Sequence, residues 1–275
     1  MVGPIVDAVV PEEGVDGVNP SRGALEVSKL VTYLDGLLDA QTGDDYAPNG
    51  LQVQGTRPIK KIVVGVSACR ELFERAAADA ADAVLVHHGI FWRGDSPVLT
   101  GIQYHRVAAL IENGLSLIAY HLPLDRHGTH GNNAVAAAQF GLGSLQGFAH
   151  HGGLPIGVRG EFDQPLAPSE LQSRCADIFG QEPLAFLHGP DPVRTLALVS
   201  GAAASEFREA IDSGIDAFIT GEPSEWVMNL AREASIHFLA AGHYATERLG
   251  VQSLAAHLEE RFGLETVFVD IPNPV

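Results

Sequence analysis

The sequence Ala83-Val-Leu-Val-His-His-Gly-Ile-Phe-Trp92 decides the fold, because it returns later in the chain as Ala217-Phe-Ile-Thr-Gly-Glu-Pro-Ser-Glu-Trp226. A second segment, Leu117 to Asp125, returns in the same order as Phe238 to Glu247 with one residue inserted. Strand–helix units resemble each other in many proteins, so one match would carry little weight. Two matches in the same order, with the second pair ending in His-x-x-x-carboxylate, predict an internal duplication.

Short apolar runs alternate with Ala-rich segments of helical spacing around these two motifs. The predicted strands are 61–69, 83–86 and 116–120 in the first copy and 195–200, 217–220 and 236–240 in the second. Helices are expected between them, one of them over residues 205–213, and a short strand is expected over residues 156–159. This alternation predicts an α/β fold made of two similar α/β domains, each built around a mostly parallel sheet.

The limits of the two halves follow from the same patterns. Residues 1–24 contain Pro, Gly and acidic residues without periodicity and are expected to form a mobile N-terminal extension. The first half is expected to span residues 25–146, to which 248–275 could add a C-terminal part, and the second half residues 147–275.

Composition limits the classes of function. The chain has 275 residues, 46% of them apolar and 19% charged, which is typical of a globular protein. The net charge of −17 disfavours nucleic-acid binding, since the averaged field repels phosphates. No apolar run reaches membrane-spanning length, and no signal peptide is recognised. Two distant cysteines, Cys69 and Cys175, fit a reducing compartment, so a cytoplasmic protein is expected.

Two histidines, His87 and His88, follow the apolar run 83–86 and therefore lie at the carboxyl end of a predicted buried strand. In open α/β sheets this edge is where ligands bind. Neighbouring side chains on a strand point to different sides, so the pair would serve two adjacent metal ions more naturally than one. The alternative is that both histidines only cap the strand through hydrogen bonds.

The duplicated segment adds carboxylates to this edge. Asp125 follows His121 in the first copy, and Glu247 follows His243 in the second. If residues 245–257 start a helix, His243 and Glu247 lie one turn apart and can face a common centre. Imidazole and carboxylate ligands together suit zinc, manganese, iron or magnesium, and a carboxylate can bridge two ions.

A nucleophile other than water is not recognised in the sequence: no nucleophile elbow and no phosphate-binding Gly-rich loop follows a strand. Metal-activated water, with Glu247, is therefore the catalytic group that the residues supply most readily, which predicts a hydrolase. A non-catalytic metal-binding scaffold or regulator that acts through protein partners is the alternative. A nucleic-acid clamp is a third reading, disfavoured by the charge.

Four motifs together resemble a known family. They are Asp45-Tyr-Ala-Pro-Asn-Gly-Leu-Gln52, Val86-His-His-Gly89, His121-Leu-Pro-Leu-Asp125 and Ala241-Gly-His-Tyr-Ala-Thr-Glu247. They are similar to those of the Nif-three-like family, also called GTP cyclohydrolase I type 2 homologues or dinuclear-metal-centre hexameric proteins. The resemblance runs from about residue 24 to Asp270-Ile-Pro-Asn-Pro274 and is greatest to the short bacterial members.

The resemblance implies specific roles. His87 and His88 would hold different ions, Asp125 would join His88, His243 would join His87, and Glu247 would touch both. The two ions would lie in the cleft between the two domains, and the chain would assemble as a ring-shaped homohexamer. A nucleotide or related small molecule would be the substrate. Three further residues are expected behind the ligands or against the substrate: His121, Tyr46 and Asn49.

Overall fold

The computed structural model describes residues 23–275. The predicted N-terminal extension 1–24 therefore lies, apart from its last two residues, outside the described part of the chain. The described residues form two compact units, the first from 23–124 and 251–271 and the second from 125–250 and 272–275. The predicted division at residue 146 falls inside a strand of the second unit, Leu142–His151.

The helices and strands alternate along most of the chain. In chain order they are α1 (Val27–Leu37), β1 (Gly50–Val53), β2 (Lys61–Ser67), α2 (Arg70–Ala78), β3 (Ala83–His88), α3 (Gly101–Glu112), β4 (Ser116–Ala119), α4 (Leu122–Arg126), α5 (Asn132–Phe140), β5 (Leu142–His151), β6 (Leu154–Leu166), α6 (Pro168–Phe179), β7 (Leu184–Leu187), β8 (Val193–Val199), α7 (Phe207–Asp212), β9 (Ala217–Thr220), α8 (Val227–Ala234), β10 (His237–Ala240), α9 (His243–Thr246), α10 (Arg248–Phe262) and β11 (Glu265–Phe268). A 3₁₀ turn, Ala204–Glu206, precedes α7.

The first unit is built on a five-stranded sheet in the order β1-β4-β3-β2-β11. Strands β11, β2, β3 and β4 are parallel, and β1 pairs with β4 in the antiparallel sense. The central strands are buried on both faces, which is why they read as continuous apolar runs in the sequence. Leu72 and Phe73 of α2 pack against Val63 and Val84 in the core of this unit.

The second unit is built on a six-stranded sheet in the order β5-β6-β8-β9-β10-β7. Its centre, β8, β9 and β10, is parallel, while β5, β6 and β7 pair in the antiparallel sense. Apolar side chains fill both of its faces: Leu196 and Ile219 belong to one core cluster, and Phe218 and Phe238 to another. The prediction of an α/β chain with two sheets is therefore confirmed. A mostly parallel sheet is found only in the first unit, because three of the five strand pairings in the second sheet are antiparallel.

The duplication is visible in the registers of the two parallel cores. Ala83 pairs with Ile62 and Ser116, and Ala217 pairs with Leu196 and His237. The repeated motif places Ala83 and Ala217 at equivalent positions. The same three-strand core thus occurs once in each unit, which confirms the two similar α/β halves.

An aspartate at the start of this core repeats its contacts as well. The Asp82 carboxylate accepts hydrogen bonds from the backbone N–H groups of Lys60 and Lys61, at 2.9 and 3.1 Å. The Asp216 carboxylate accepts from Arg194 and Thr195, at 2.8 and 2.9 Å. Each aspartate thereby anchors the beginning of the neighbouring strand, and the pattern was not predicted from the sequence.

Two of the differences from the prediction lie in the second unit. The helix expected over residues 205–213 is divided into the 3₁₀ turn Ala204–Glu206 and α7. The second sheet also carries a long antiparallel hairpin, β5–β6, where only a short strand over 156–159 was expected.

Along residues 23–275, no helix is both long and apolar enough to span a membrane.

Candidate metal centre

The end of β3 places His87 in the interior of the first unit. Its side chain is fully buried, because the strand is covered on both faces. Nδ1 lies 3.0 Å from the carbonyl oxygen of Tyr120. A carbonyl can only accept, so Nδ1 carries a proton, and in the neutral form of the ring Nε2 presents its lone pair.

His88 is the last residue of β3 and lies beside His87, with ring centroids 4.6 Å apart and ring planes inclined by 48°. Its Nδ1 hydrogen-bonds to the hydroxyl of Ser67 on β2, at 3.0 Å. The two imidazoles therefore stay close together while their Nδ1 atoms contact different partners. Trp92 packs against His88, with ring centroids 5.7 Å apart.

A third imidazole joins this pair. His87, His88 and His121 each offer a ring nitrogen, and these nitrogens lie within 4.8 Å of one another. His121 follows β4, and its Nδ1 lies 2.6 Å from Oδ1 of Asp45. Its backbone N–H donates to Oδ1 of Asn49, at 2.8 Å. The loop before β1 thus fixes both the ring and the backbone of His121.

Asp45 holds this loop through several hydrogen bonds. Its oxygens accept from the backbone N–H groups of Tyr46 and Leu122 and from the Asn49 amide. Burial alone would raise the pKa of Asp45, but the hydrogen bonds and charge from His121, Asn49 and Tyr46 lower it to about 2. A charged carboxylate is therefore maintained behind His121.

Tyr46 lies at the outer side of this histidine cluster. Its side chain is 48% exposed, and its ring contacts the ring of His121 with centroids 6.4 Å apart. The ring of Trp92 also contacts His121, edge to face at 5.2 Å. Two aromatic rings therefore border His121, and that of Tyr46 is about half exposed to solvent.

In the second unit, His243 and Glu247 lie on the segment that follows β10. The distance from Nε2 of His243 to Oε2 of Glu247 is 3.1 Å, as expected for residues one helical turn apart. Nδ1 of His243 lies 2.5 Å from Oε1 of Glu222, which follows β9. The ring of His243 is thus held between two carboxylates.

These carboxylates change the acidity of His243. Burial alone would lower its pKa, but the hydrogen bonds and charges of Glu247 and Glu222 raise it to about 9. In the absence of another cation, His243 is therefore protonated near neutral pH. A divalent ion bound at Nε2 would replace that proton.

Asp125 is the second buried carboxylate of this unit. Its Oδ1 accepts hydrogen bonds from the Asn132 amide, at 2.9 Å, and the Ser200 hydroxyl, at 2.8 Å. Asp125 and Glu247 are 7% and 3% exposed, and each carries an oxygen within 4.8 Å of one on the other. Two carboxylates this close, both withdrawn from water, favour a bound cation.

Gly201 allows the close approach of Glu247. A Cβ at this position would collide with Oε1 of Glu247, and the backbone φ of +69° is in the left-handed region. Its N–H donates to the Thr246 hydroxyl, at 3.1 Å. The turn after β8 therefore requires glycine for both conformation and space.

The donor set of these residues fits divalent ions. His87 and His243 have Nδ1 bonded to oxygen acceptors, as metal-binding imidazoles usually do. The sequence did not identify the partners Asp45, Ser67 and Glu222. A signal existed for Glu222, because the repeat aligns it with His88, and for Asp45, which opens the first family motif.

Comparisons with known proteins agree with these observations. A model of the family described as Duf34/NIF3 (NGG1p interacting factor 3) matches residues 25–274. The GTP cyclohydrolase 1 type 2 homolog of Pseudomonas aeruginosa is 43% identical over 252 residues, which cover 91% of this chain and 99% of that protein. The homolog of the same name from Escherichia coli K12 is 42% identical over 248 residues, 90% and 98% of the two chains.

Solved structures agree as well. Protein ybgI, described as of unknown function, superimposes with a TM-score of 0.86 at 41% identity and covers 91% of this chain and 100% of its own. TTHA1606 from Thermus thermophilus gives a TM-score of 0.83 at 38% identity, with coverage of 91% and 100%. Both matches extend over nearly the whole described chain.

Proposed function

Because this chain belongs to the Duf34/NIF3 family, we propose that it is a divalent-metal-dependent hydrolase of a nucleotide or related small molecule. The membership confirms the resemblance inferred from the four sequence motifs. The curated relatives carry the name GTP cyclohydrolase 1 type 2 homolog, which directs the proposal towards nucleotides.

Five residues are proposed as ligands of two divalent ions: His87, His88, Asp125, His243 and Glu247. In this assignment His87 and His88 would hold different ions, and Glu247 would be a ligand of both. The main observation in favour of this assignment is that the ligand side chains are held by hydrogen bonds or buried close together within each unit. His87 and His243 donate Nδ1–H to oxygen acceptors, and Asp125 and Glu247 are buried with oxygens close together.

Two divalent ions would supply a water molecule of lowered pKa and stabilise negative charge on a substrate oxygen. The chain's own residues would transfer the proton and contact the substrate. Glu247, which already contacts an imidazole nitrogen, is assigned proton transfer at Oε2. His121, held by Asp45, would contact the substrate through its ring, and Tyr46 and Asn49 would form the border of the binding site with it.

The test is turnover by purified protein loaded with zinc, manganese, iron or magnesium against GTP and a panel of nucleotides. We expect hydrolysis that Glu247→Gln abolishes. We also expect His88→Ala to lower the metal content measured by elemental analysis while the far-UV circular dichroism spectrum is unchanged. Wild-type metal content in His88→Ala would refute the ligand assignment. Full metal content without any turnover would instead support the scaffold alternative.

Assembly and location belong to the same proposal. On the family resemblance we propose a ring-shaped homohexamer, for which light scattering should give six times the chain mass of 29.1 kDa. A cytoplasmic location is proposed because both cysteines are free thiols, as is usual in a reducing compartment. Neither a membrane nor a nucleic acid is among the proposed partners.

A further inference from the structure

Glu222 stands at the position that His88 occupies in the other half of the molecule. Strand β9 repeats β3, so that Ala217 corresponds to Ala83, and the two residues after β9 correspond to His87 and His88. The second unit therefore has a glycine and a carboxylate where the first has two imidazoles. The ends of β3 and β9 therefore occupy equivalent positions in the two sheets but carry side chains of different chemistry.

The Glu222 carboxylate is directed at one nitrogen of one ring. Its Oε1 lies 2.5 Å from Nδ1 of His243, on the side of the ring opposite Glu247. The imidazole lies between the two carboxylates, with Nε2 contacting Glu247 at 3.1 Å. Its orientation is thus fixed through Nδ1, while Nε2 faces the buried acidic groups.

The backbone beneath this contact is tightly built. The N–H groups of Gly221 and Glu222 both donate to the carbonyl oxygen of Gly201, at 2.9 and 3.1 Å. Gly221 lies directly under His243, since a Cβ at Gly221 would be 2.6 Å from the Cα of His243. Glu222 therefore reaches His243 from a short, anchored segment and needs little ordering to hold the ring.

We propose that Glu222 is a positioning residue that holds His243 with Nδ1–H towards Glu222 and Nε2 towards a bound divalent ion. The inference rests on the proposed function, because it assigns a partner to one of the proposed metal ligands. A carboxylate behind a metal-binding imidazole fixes the tautomer and strengthens the donor nitrogen. In the first unit the equivalent support comes from neutral groups, the Tyr120 carbonyl and the Ser67 hydroxyl.

A purely structural role fits less well. The side chains of Glu222 and His243 are 35% and 27% exposed, and ion pairs in contact with water contribute little to folding. Removing the charge of Glu222 should therefore affect metal binding far more than the stability of the metal-free protein.

The experiment compares Glu222→Gln with the matched control Glu225→Gln. Glu225 is an exposed acid three residues further along the same segment, so the control removes the same charge without touching His243. Zinc affinity is measured by competition with a fluorescent chelator, and the melting temperature is measured on metal-free protein. We expect Glu222→Gln to weaken zinc binding by about 10-fold or more, and Glu225→Gln by less than about 2-fold.

Equal affinities of Glu222→Gln and wild type would overturn the proposal. Equal losses in the two variants would overturn it too, since they would show an effect of overall charge alone. Nitrogen-15 NMR of the histidine rings supplies a second measurement: a proton on Nδ1 of His243, hydrogen-bonded in wild type, should lose its downfield shift in Glu222→Gln. The NMR measurement needs no metal. It can therefore distinguish a failure of the Glu222 contact from a failure of the proposed metal site.

Discussion

Asp45 illustrates how one residue links folding to the candidate site. Its carboxylate joins the loop before β1 to His121, a residue 76 positions away in the sequence. The pKa of Asp45 in the folded protein, about 2, is below the ordinary value of 3.8. A depressed pKa means that the charged form stabilises the fold, and this contribution is present above about pH 4 and lost as the pH falls towards 2.

Asp45→Asn should therefore be less stable than wild type at neutral pH and should lose less stability on acidification. The measurement is the urea-induced unfolding free energy between pH 5 and pH 2, in about half-unit steps, for both proteins. The control is Asp39→Asn, an exposed acid outside the His121 contact. If the unfolding free energy of Asp45→Asn falls as steeply with decreasing pH as that of wild type, the role assigned to Asp45 is wrong.

The two cysteines should differ in reactivity. Cys175 is fully buried on α6, and burial, followed by the nearby charge of Glu182, raises the pKa of its thiol to about 12. Cys69 is partly exposed. At pH 8, Ellman's reagent should label one thiol per native chain, at Cys69, and two after unfolding in guanidinium. Rapid labelling of two thiols in the native protein would show that Cys175 is accessible.

At the level of elements, the turn after β8 restricts the residue type more than the strands around it do. Gly201 combines a φ of +69° with contact to Glu247, whereas Gly214 has a φ of +68° and open space, with no atom within 4 Å of where a Cβ would lie. Alanine at either position costs about 1–2 kcal/mol of backbone strain. Only alanine at Gly201 must also displace the Glu247 carboxylate.

Gly201→Ala and Gly214→Ala should therefore both lower the melting temperature of the metal-free protein, and Gly201→Ala should lower it more because its Cβ must also displace the Glu247 carboxylate. Gly201→Ala alone should reduce bound metal per chain, determined by elemental analysis after dialysis against zinc. If both variants bind as much metal as wild type, Glu247 is not constrained by this turn. If both lose metal equally, backbone strain alone explains the loss.

Elements with a local signal were predictable from the sequence. Ala217–Thr220 consists of three apolar residues followed by a buried threonine, and the predicted strand has the observed bounds. Gly50–Val53 was not predicted, because its four residues form a strand only by pairing with Ser116–Ala119, far away in sequence. The helix expected at 205–213 begins instead as a 3₁₀ turn, and no side chain caps its first residues.

The candidate site divides in the same way. Histidines and acids at strand ends were identified by their spacing and repetition, since both are properties of the sequence itself. Their hydrogen-bond partners were not, because Ser67 meets His88 only when β2 and β3 pair, and Asp45 meets His121 only after the loop folds against β4. Predicting such partners requires tertiary neighbours.

At the level of the whole molecule, the net charge of −17 must influence whatever approaches the site. With 34 acidic and 17 basic residues, the averaged field attracts divalent cations and repels nucleotide anions. An anionic substrate would therefore meet a favourable local potential only after cations are bound. We therefore expect the negative net charge to accelerate the binding of metal ions, which precedes the binding of an anionic substrate.

Metal association should consequently slow as salt is added. Trp92, whose ring lies 5.7 Å from that of His88, can report it, and Trp226→Phe removes the other tryptophan. Nickel should quench Trp92 fluorescence in stopped flow, with an association rate that falls several-fold between about 20 mM and about 500 mM sodium chloride, because the screening length shortens from roughly 20 to roughly 4 Å. The dissociation rate should change much less, since contact distances are short compared with the screening length. An association rate that does not depend on salt would show that the local site, and not the charge of the whole chain, governs metal capture.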